Sequence, residues 1–112
     1  HYAGAEPPLN AALTEAVGGT AGVLFPRTAA DIASLPDTPA ILLLVIATDV
    51  PDLDRAMLLA AVGPLAVEIA PDRRIAAIDV GPGADPDDVV AASQFLTSAE
   101  SSTGQVLRIT AR

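Results

Sequence analysis

The stretch ILLLVI at residues 41–46 is a run of six apolar residues with no alternation between apolar and polar positions. A strand that exposes one face to water alternates, so an unbroken run is typical of a parallel strand covered on both faces. A second buried strand is predicted over 74–80, and shorter strands over 22–25 and 105–110. Helical segments separate the strands on short connections, and this order predicts an α/β fold with a parallel sheet of about four strands.

The helical segments between these strands are predicted over 9–17, 29–35, 52–69 and from Pro86 to about Ser98. Residues 1–8 are predicted to form an extended entry segment, because proline disfavours helix at the residue before it. Asp85 is the predicted N-cap of the last helix, with Pro86 at its first position. Pro64 lies inside the third helix and cannot donate to the carbonyl of Ala60, so we expect a kink or a break there.

The composition excludes most classes of enzyme chemistry. Of the 112 residues, 14 are acidic and six are arginine, which gives a net charge of −8, and the chain contains no lysine, cysteine or tryptophan. Schiff-base chemistry, thiol catalysis and thiolate metal sites therefore cannot occur within it. A Ser-His-acid triad would need the one histidine of the chain, His1.

Charge and hydropathy also bear on partners and location. The negative charge repels phosphate backbones and anionic lipid, so we expect no nucleic-acid partner and no membrane partner. The longest apolar run, residues 40–47, is far shorter than the roughly 20 residues needed to cross a bilayer. The length of 112 residues predicts a single domain over 1–112. The cytoplasm is the expected location, because the chain has neither cysteine nor a recognisable signal peptide.

The predicted helix over 52–69 carries no charge between Ala56 and Val67. A surface helix normally has one polar face, so a helix that is apolar on all sides needs cover on its outer side as well. We therefore expect a homodimer joined through this helix. Two alternatives stay open: an alanine-rich face can simply be exposed, and the strand over 22–25 could pair with another chain as a bare edge. The residues assigned to the interface are Met57, Leu58, Leu59, Val62 and Leu65.

Aspartates follow two of the predicted strands, at the edge where open α/β sheets bind ligands. Asp49 and Asp52 come after the strand over 41–46, and Asp79 lies near the end of the neighbouring strand. Their carboxylate oxygens could hold Mg²⁺ or Ca²⁺. The interpretation that we favour is that these acids cap helices and line a solvated rim, so that there is no metal site.

Three segments of the carboxy-terminal half carry motifs of a known family: LAVEIAP at 65–71, RIAAIDVGPG at 74–83, and DVVAASQFL at 88–96 followed by STGQVL at 102–107. They resemble, in the same order, the LAxExAP helix end, the IRVNxVxPG strand and loop, and the DVAxAxxFL…TGQxL segment of short-chain dehydrogenases/reductases. The resemblance implies the carboxy-terminal half of a Rossmann-type reductase. Its fold would be a truncated, doubly wound parallel sheet with helices on both faces.

The same resemblance implies that the catalytic residues are absent. Counted back from Glu68 without a gap, the family's catalytic Tyr falls on Pro51 and its Lys on Arg55. In the family, the Tyr protonates the carbonyl oxygen of the substrate, and proline has no proton to give. Pro82 and Gly83 match the loop that contacts nicotinamide, but the half of the fold that binds adenosine is missing. We therefore expect no catalytic residue and no cofactor, with NAD(P) as the alternative.

The segment YAGAEPPL at 2–9 resembles the RYxxGEPPL entry of actinobacterial high-molecular-weight β-ketoacyl reductases. In those proteins a non-catalytic, reductase-like domain precedes the active one. The resemblance implies a pseudo-reductase that serves dimerisation or scaffolding in fatty-acid or polyketide metabolism, with an active reductase or synthase as partner. The alternative is an oxidoreductase module that binds NAD(P) or an acyl ligand and completes its site with a partner chain.

Overall fold

Four strands, β1 (Gly22–Leu24), β2 (Ile41–Ile46), β3 (Arg74–Val80) and β4 (Gln105–Ile109), form one parallel sheet in that order. This computed structural model describes residues 7–17, 21–32, 40–69, 72–98 and 103–111. Leu43 on β2 pairs with Val23 on β1 and with Ala76 on β3, so β2 lies inside the sheet. The predicted α/β fold with a four-stranded parallel sheet is confirmed.

Helices cover both faces of this sheet. Those described are α1 (Pro7–Val17), α2 (Asp52–Ile69), α3 (Pro86–Ser98) and a single 3-10 turn at Ala29–Ile32. The 3-10 turn and α2 pack on one face, whereas α1 and α3 pack together on the other. Within the described parts of the chain, no helix has both the length and the apolar character needed to cross a bilayer.

The two helical connections of the sheet have opposite hands. The step from β2 to β3 and the step from β3 to β4 go in the same direction across the sheet. The first passes through α2 on one face and the second through α3 on the other. Two crossovers that step the same way on opposite faces must differ in hand, so one of them is an exception to the right-handed rule.

The apolar run that predicted a doubly covered strand is buried on both of its sides. Leu42, Leu44 and Ile46 face α2, and Leu43 and Val45 face α1 and α3. Residues 42–46 are fully buried, because helices cover both faces of the sheet. In contrast, β4 is an edge strand and is half-exposed along its length.

Two details of the predicted elements near the start of the chain are corrected. Pro7 and Pro8 belong to α1 rather than to an extended segment, because the N–H groups of a first helical turn have no partner in the helix and proline fits there. The second helix was predicted over 29–35, and its described part, Ala29–Ile32, forms a 3-10 turn. Residues 1–6 and 33–35 lie outside the described residues.

The helix α2 continues through Pro64 to Ile69, so there is no break at Pro64, and a kink there stays a prediction. Two features explain why the helix tolerates a proline at this position. The residue before the proline is Gly63, which has no Cβ to collide with the proline ring. Ala60, whose carbonyl loses its helical partner, is exposed, so water can bind that carbonyl.

The turn into β4 depends on a left-handed residue. Gly104 has a φ of +73°, and its N–H donates to the carbonyl of Ile75 at 2.8 Å.

We expect Gly104→Ala to lower the free energy of unfolding by about 1 kcal/mol, because a side chain strains this conformation. A Cβ here would meet the Cβ of Ala66 at an ordinary 3.4 Å, so the loss is one of backbone strain. Urea unfolding measures it. Gly104→Asn should cost less, since Asn tolerates a positive φ, and equal losses for both variants would contradict this explanation.

Candidate functional site

Two arginines converge on one buried aspartate at the carboxyl ends of the strands. Asp79 lies near the end of β3 with only 4% of its side chain exposed. Nη1 of Arg55, from α2, donates to Oδ1 of Asp79, and Nη1 of Arg108, from β4, donates to Oδ2 at 2.6 Å. Each carboxylate oxygen therefore has its own guanidinium partner, which compensates for the burial of the charge. We call these three residues the Arg-Asp-Arg cluster.

The chain between β2 and α2 positions Arg55. The carbonyl of Pro51 accepts the N–H of Arg55 at 2.9 Å, in the first turn of α2. The Arg55 side chain is thereby directed to the end of the sheet, where Nη2 donates to the carbonyl of Ala47 at 2.6 Å and more weakly to that of Val50 at 3.4 Å. Arg55 thus ties the loop after β2 to Asp79 on β3, and it is largely buried.

A second, exposed pair ties the loop after β1 to the loop after β2. Nη1 of Arg27 donates to Oδ1 of Asp49 at 3.0 Å, and this hydrogen bond holds the pKa of Asp49 below its usual value. Oδ2 of Asp31 accepts the backbone N–H groups of Arg27 at 2.8 Å and Thr28 at 3.0 Å, and these bonds likewise lower the pKa of Asp31. Arginine–aspartate pairs therefore link β1 with β2 and β3 with β4 at their carboxyl ends, and Arg55 joins β2 to β3 through the carbonyl of Ala47.

The three aspartates considered for a metal do not form a site together. The carboxylate of Asp49 is bound by Arg27, and both oxygens of Asp79 are bound by arginines. Asp52 is exposed in the first turn of α2. Among the residues that the structure describes, no group of three His, Cys, Asp or Glu is placed to hold a metal ion. Guanidinium groups therefore occupy two of the three carboxylates that the metal alternative required, those of Asp49 and Asp79.

Pro82 and Gly83 form a turn against the chain that follows β4. The N–H of Gly81 donates to the carbonyl of Ile109 at 2.7 Å, and the N–H of Ala84 donates back to the carbonyl of Gly81 at 3.2 Å. Gly83 has a φ of +77°, and a Cβ there would lie 3.1 Å from the Cβ of Ala111. These two residues shape a tight backbone turn, and cofactor binding by them stays a prediction.

The five residues assigned to a subunit interface do not share one face of α2. Leu58 and Val62 are fully buried against the sheet, and Leu59 and Leu65 are partly buried in the same cluster. Of the five, only Met57 is exposed. Leu58 and Val62 are corrected to core residues, because the periodicity of a helix places them over β2 and β3 rather than on the outer side.

A comparison with protein families identifies the chain. A family model described as "Short chain dehydrogenase-like protein" matches residues 9–109. The chain belongs to the short-chain dehydrogenase-like family. No curated protein and no solved structure matches it.

One residue of the Arg-Asp-Arg cluster occupies a position that is catalytic in the short-chain dehydrogenases/reductases that the chain resembles. Arg55 stands where the resemblance places the catalytic Lys, and Pro51 where it places the Tyr. The sequence did not indicate Arg27 or Arg108 as part of this edge. Arg108 is the one charged residue of β4, beside Asp79 in the register of the sheet, and that pairing of strands is the signal that would have found it.

Proposed function

We propose that this chain is a non-catalytic member of the short-chain dehydrogenase-like family, a pseudo-reductase domain with a scaffolding role. The observation that carries the proposal is that the guanidinium of Arg55 is already hydrogen-bonded to the protein itself. Its two terminal nitrogens donate to Asp79 and to the carbonyls of Ala47 and Val50. A group that holds a cofactor ribose and lowers the pKa of a neighbouring acid needs free donors directed at the ligand, and those of Arg55 are directed at the protein.

The position of the missing acid supports the same proposal. Pro51 immediately precedes α2, and its carbonyl accepts the first helical hydrogen bond. Its ring has no dissociable proton, and the strand before it ends in Ala47 and Thr48 rather than in a Ser. Three charged side chains of this edge, Asp49, Arg55 and Asp79, are already held in ion pairs. Thr48 carries a hydroxyl, but no Tyr, Lys or His stands among the residues described at the carboxyl ends of β2 and β3, which supports the proposal.

The pathway and the location belong to the same proposal. A role in fatty-acid or polyketide metabolism, beside an active reductase or synthase, rests on the resemblance of residues 2–9 to the entry of β-ketoacyl reductases. The cytoplasm is the proposed location because a chain without cysteine suits a reducing compartment.

We expect the purified protein to show no turnover of a β-ketoacyl thioester with NADH or NADPH. The double substitution Pro51→Tyr and Arg55→Lys should not create activity, because Asp79 would capture the new ammonium group as an ion pair. Absorbance at the nicotinamide band measures turnover, and circular dichroism confirms that the variant is folded. Activity above background that is abolished by a substitution in this chain, in a variant that circular dichroism shows to be folded, would overturn the proposal.

A thermal-shift titration with NADPH distinguishes the alternative of a cofactor-binding module. A ligand that binds only the folded state must raise the melting temperature in proportion to the logarithm of its concentration. We expect no shift up to millimolar NADPH. A concentration-dependent rise would favour the alternative, in which a partner chain completes a nicotinamide site.

A further inference from the structure

The outer face of α2 carries an apolar stripe. Leu53 is 73% exposed, Met57 49% and Val67 79%. Three smaller exposed residues lie between them along the same side of the helix, and they are Ala56, Ala60 and Pro64. Leu53, Met57, Ala60, Pro64 and Val67 follow one another at intervals of three or four residues, and Ala56 lies beside Met57. They form one line along the helix, which we call the outer stripe.

The outer stripe lies opposite the face that packs on the sheet. Leu58, Val62 and Ala66 are the buried residues of α2, and they also follow one another at intervals of four. This second line covers β2 and β3. The outer stripe is therefore not part of the core, although its residues are as apolar as core residues. Exposed lines of this kind on a helix indicate a binding surface for another helix.

The free charges of α2 are all negative and flank the outer stripe. Asp52 lies on one side of the stripe, and Asp54 and Glu68 lie on the other. The one basic residue of the helix, Arg55, points inward and is paired with Asp79. The outer stripe thus has acids in the flanking positions that select the partner in a coiled coil, and no cation beside them on the helix.

This charge pattern counts against a second copy of the chain as the occupant. If two copies of α2 packed in parallel, Asp52 and Asp54 of one would face the same acids of the other. If they packed antiparallel, Glu68 would face those aspartates. Both arrangements place like charges across the helix pair, which destabilises it, and the net charge of −8 adds to the repulsion.

We infer that the outer stripe binds a helix of another protein, one with an apolar seam flanked by lysine or arginine. Such a partner would cover Leu53, Met57 and Val67 and would set cations against the flanking acids. The inference deepens the proposed scaffolding role and rests on it for the expectation of a partner. It does not depend on the absence of catalysis. The peptide experiment below tests the helix partner, and the ketoreductase assay tests the absence of catalysis, so either proposal can fail without the other.

The probe is a synthetic helical peptide of about 20 residues, long enough to hold a helix, with leucines three and four residues apart and lysines beside them. A second peptide replaces every lysine by glutamate. Fluorescence anisotropy of labelled peptide measures binding to the wild type and to two variants. Met57→Glu places a charge on the outer stripe. Phe95→Glu is the matched control, since Phe95 is 60% exposed on α3, on the opposite face of the sheet.

We expect the lysine peptide to bind the wild type and the Phe95→Glu variant within a factor of two of each other. Met57→Glu should weaken binding at least tenfold, and added salt should weaken it as well. The glutamate peptide should bind only after the flanking acids are reversed in a variant with Asp54→Lys and Glu68→Lys. Equal binding of both peptides to the wild type, or no binding of the lysine peptide, would overturn the inference.

Sedimentation equilibrium decides between this partner and a second copy. The inference expects a monomeric wild type, because nothing neutralises the acids on a second α2. A wild-type dimer that Met57→Glu converts to monomers, while Phe95→Glu leaves it intact, would assign the outer stripe to homodimerisation and overturn the inference.

Discussion

Replacing Asp79 by Asn is expected to lower the free energy of unfolding by about 3–5 kcal/mol, the usual result of removing one partner from a buried ion pair. The substitution keeps the shape of the side chain and removes its charge. It leaves the guanidinium of Arg55, which is 15% exposed, without a counter-ion inside the protein. For a domain of this length, the loss corresponds to a decrease of roughly 10 °C or more in melting temperature. Calorimetry and urea unfolding both measure it.

The exposed pair between Arg27 and Asp49 provides the matched control. Both side chains are 47% exposed, so water already solvates the charges. Asp49→Asn should therefore change stability far less than Asp79→Asn, although both variants remove one aspartate from a pair with arginine. Equal effects would contradict the role assigned to burial in the Arg-Asp-Arg cluster.

A double substitution separates the cost of an unpaired charge from the value of the pair. The variant Arg55→Leu with Asp79→Leu removes both charges and fills the space with apolar groups. We expect it to be less destabilised than the sum of the two single variants, because neither charge is left buried alone. Additive effects would show that Arg55 and Asp79 contribute independently.

The strands and α2 were predictable because their signals are local. The unbroken apolar run of 41–46 can be buried only between two covered faces, and Asp52–Ile69 has acids in its first turn, where the helix dipole favours them. The beginning of α1 was missed, because proline is unfavourable inside a helix and favourable in its first turn. Only the neighbouring structure shows which of these applies to Pro7 and Pro8.

The site was predictable only in part, because its contacts are not local. The sequence indicated that Arg55 occupies the position of the catalytic Lys and that Asp79 ends a strand. Their pairing across 24 residues requires the parallel register of β2 and β3 together with the start of α2. Which face of α2 packs on the sheet also depends on contacts that are not local. An apolar composition on all sides of α2 shows that something must cover it, but the rotation of the helix about its axis depends on the sheet beneath.

Two adjacent residues of α2 test that rotation directly. Leu58→Ala is expected to lower the free energy of unfolding by about 2–5 kcal/mol, because Leu58 is fully buried and its removal leaves a cavity over the sheet. Met57→Ala, at the neighbouring position, should change it by less than about 1 kcal/mol, since Met57 is half-exposed. Urea unfolding of the two variants measures the difference.

The same pair shows which substitution can report on a subunit interface. A glutamate at position 58 would bury a charge with no partner among Leu42, Leu44 and Val62, and it should prevent folding in a monomer and in a dimer alike. A glutamate at position 57 lies in water and leaves the core intact. If Met57→Ala proved as costly as Leu58→Ala at protein concentrations where the chain is monomeric, α2 would be rotated from the orientation described, and the outer stripe would belong to the core.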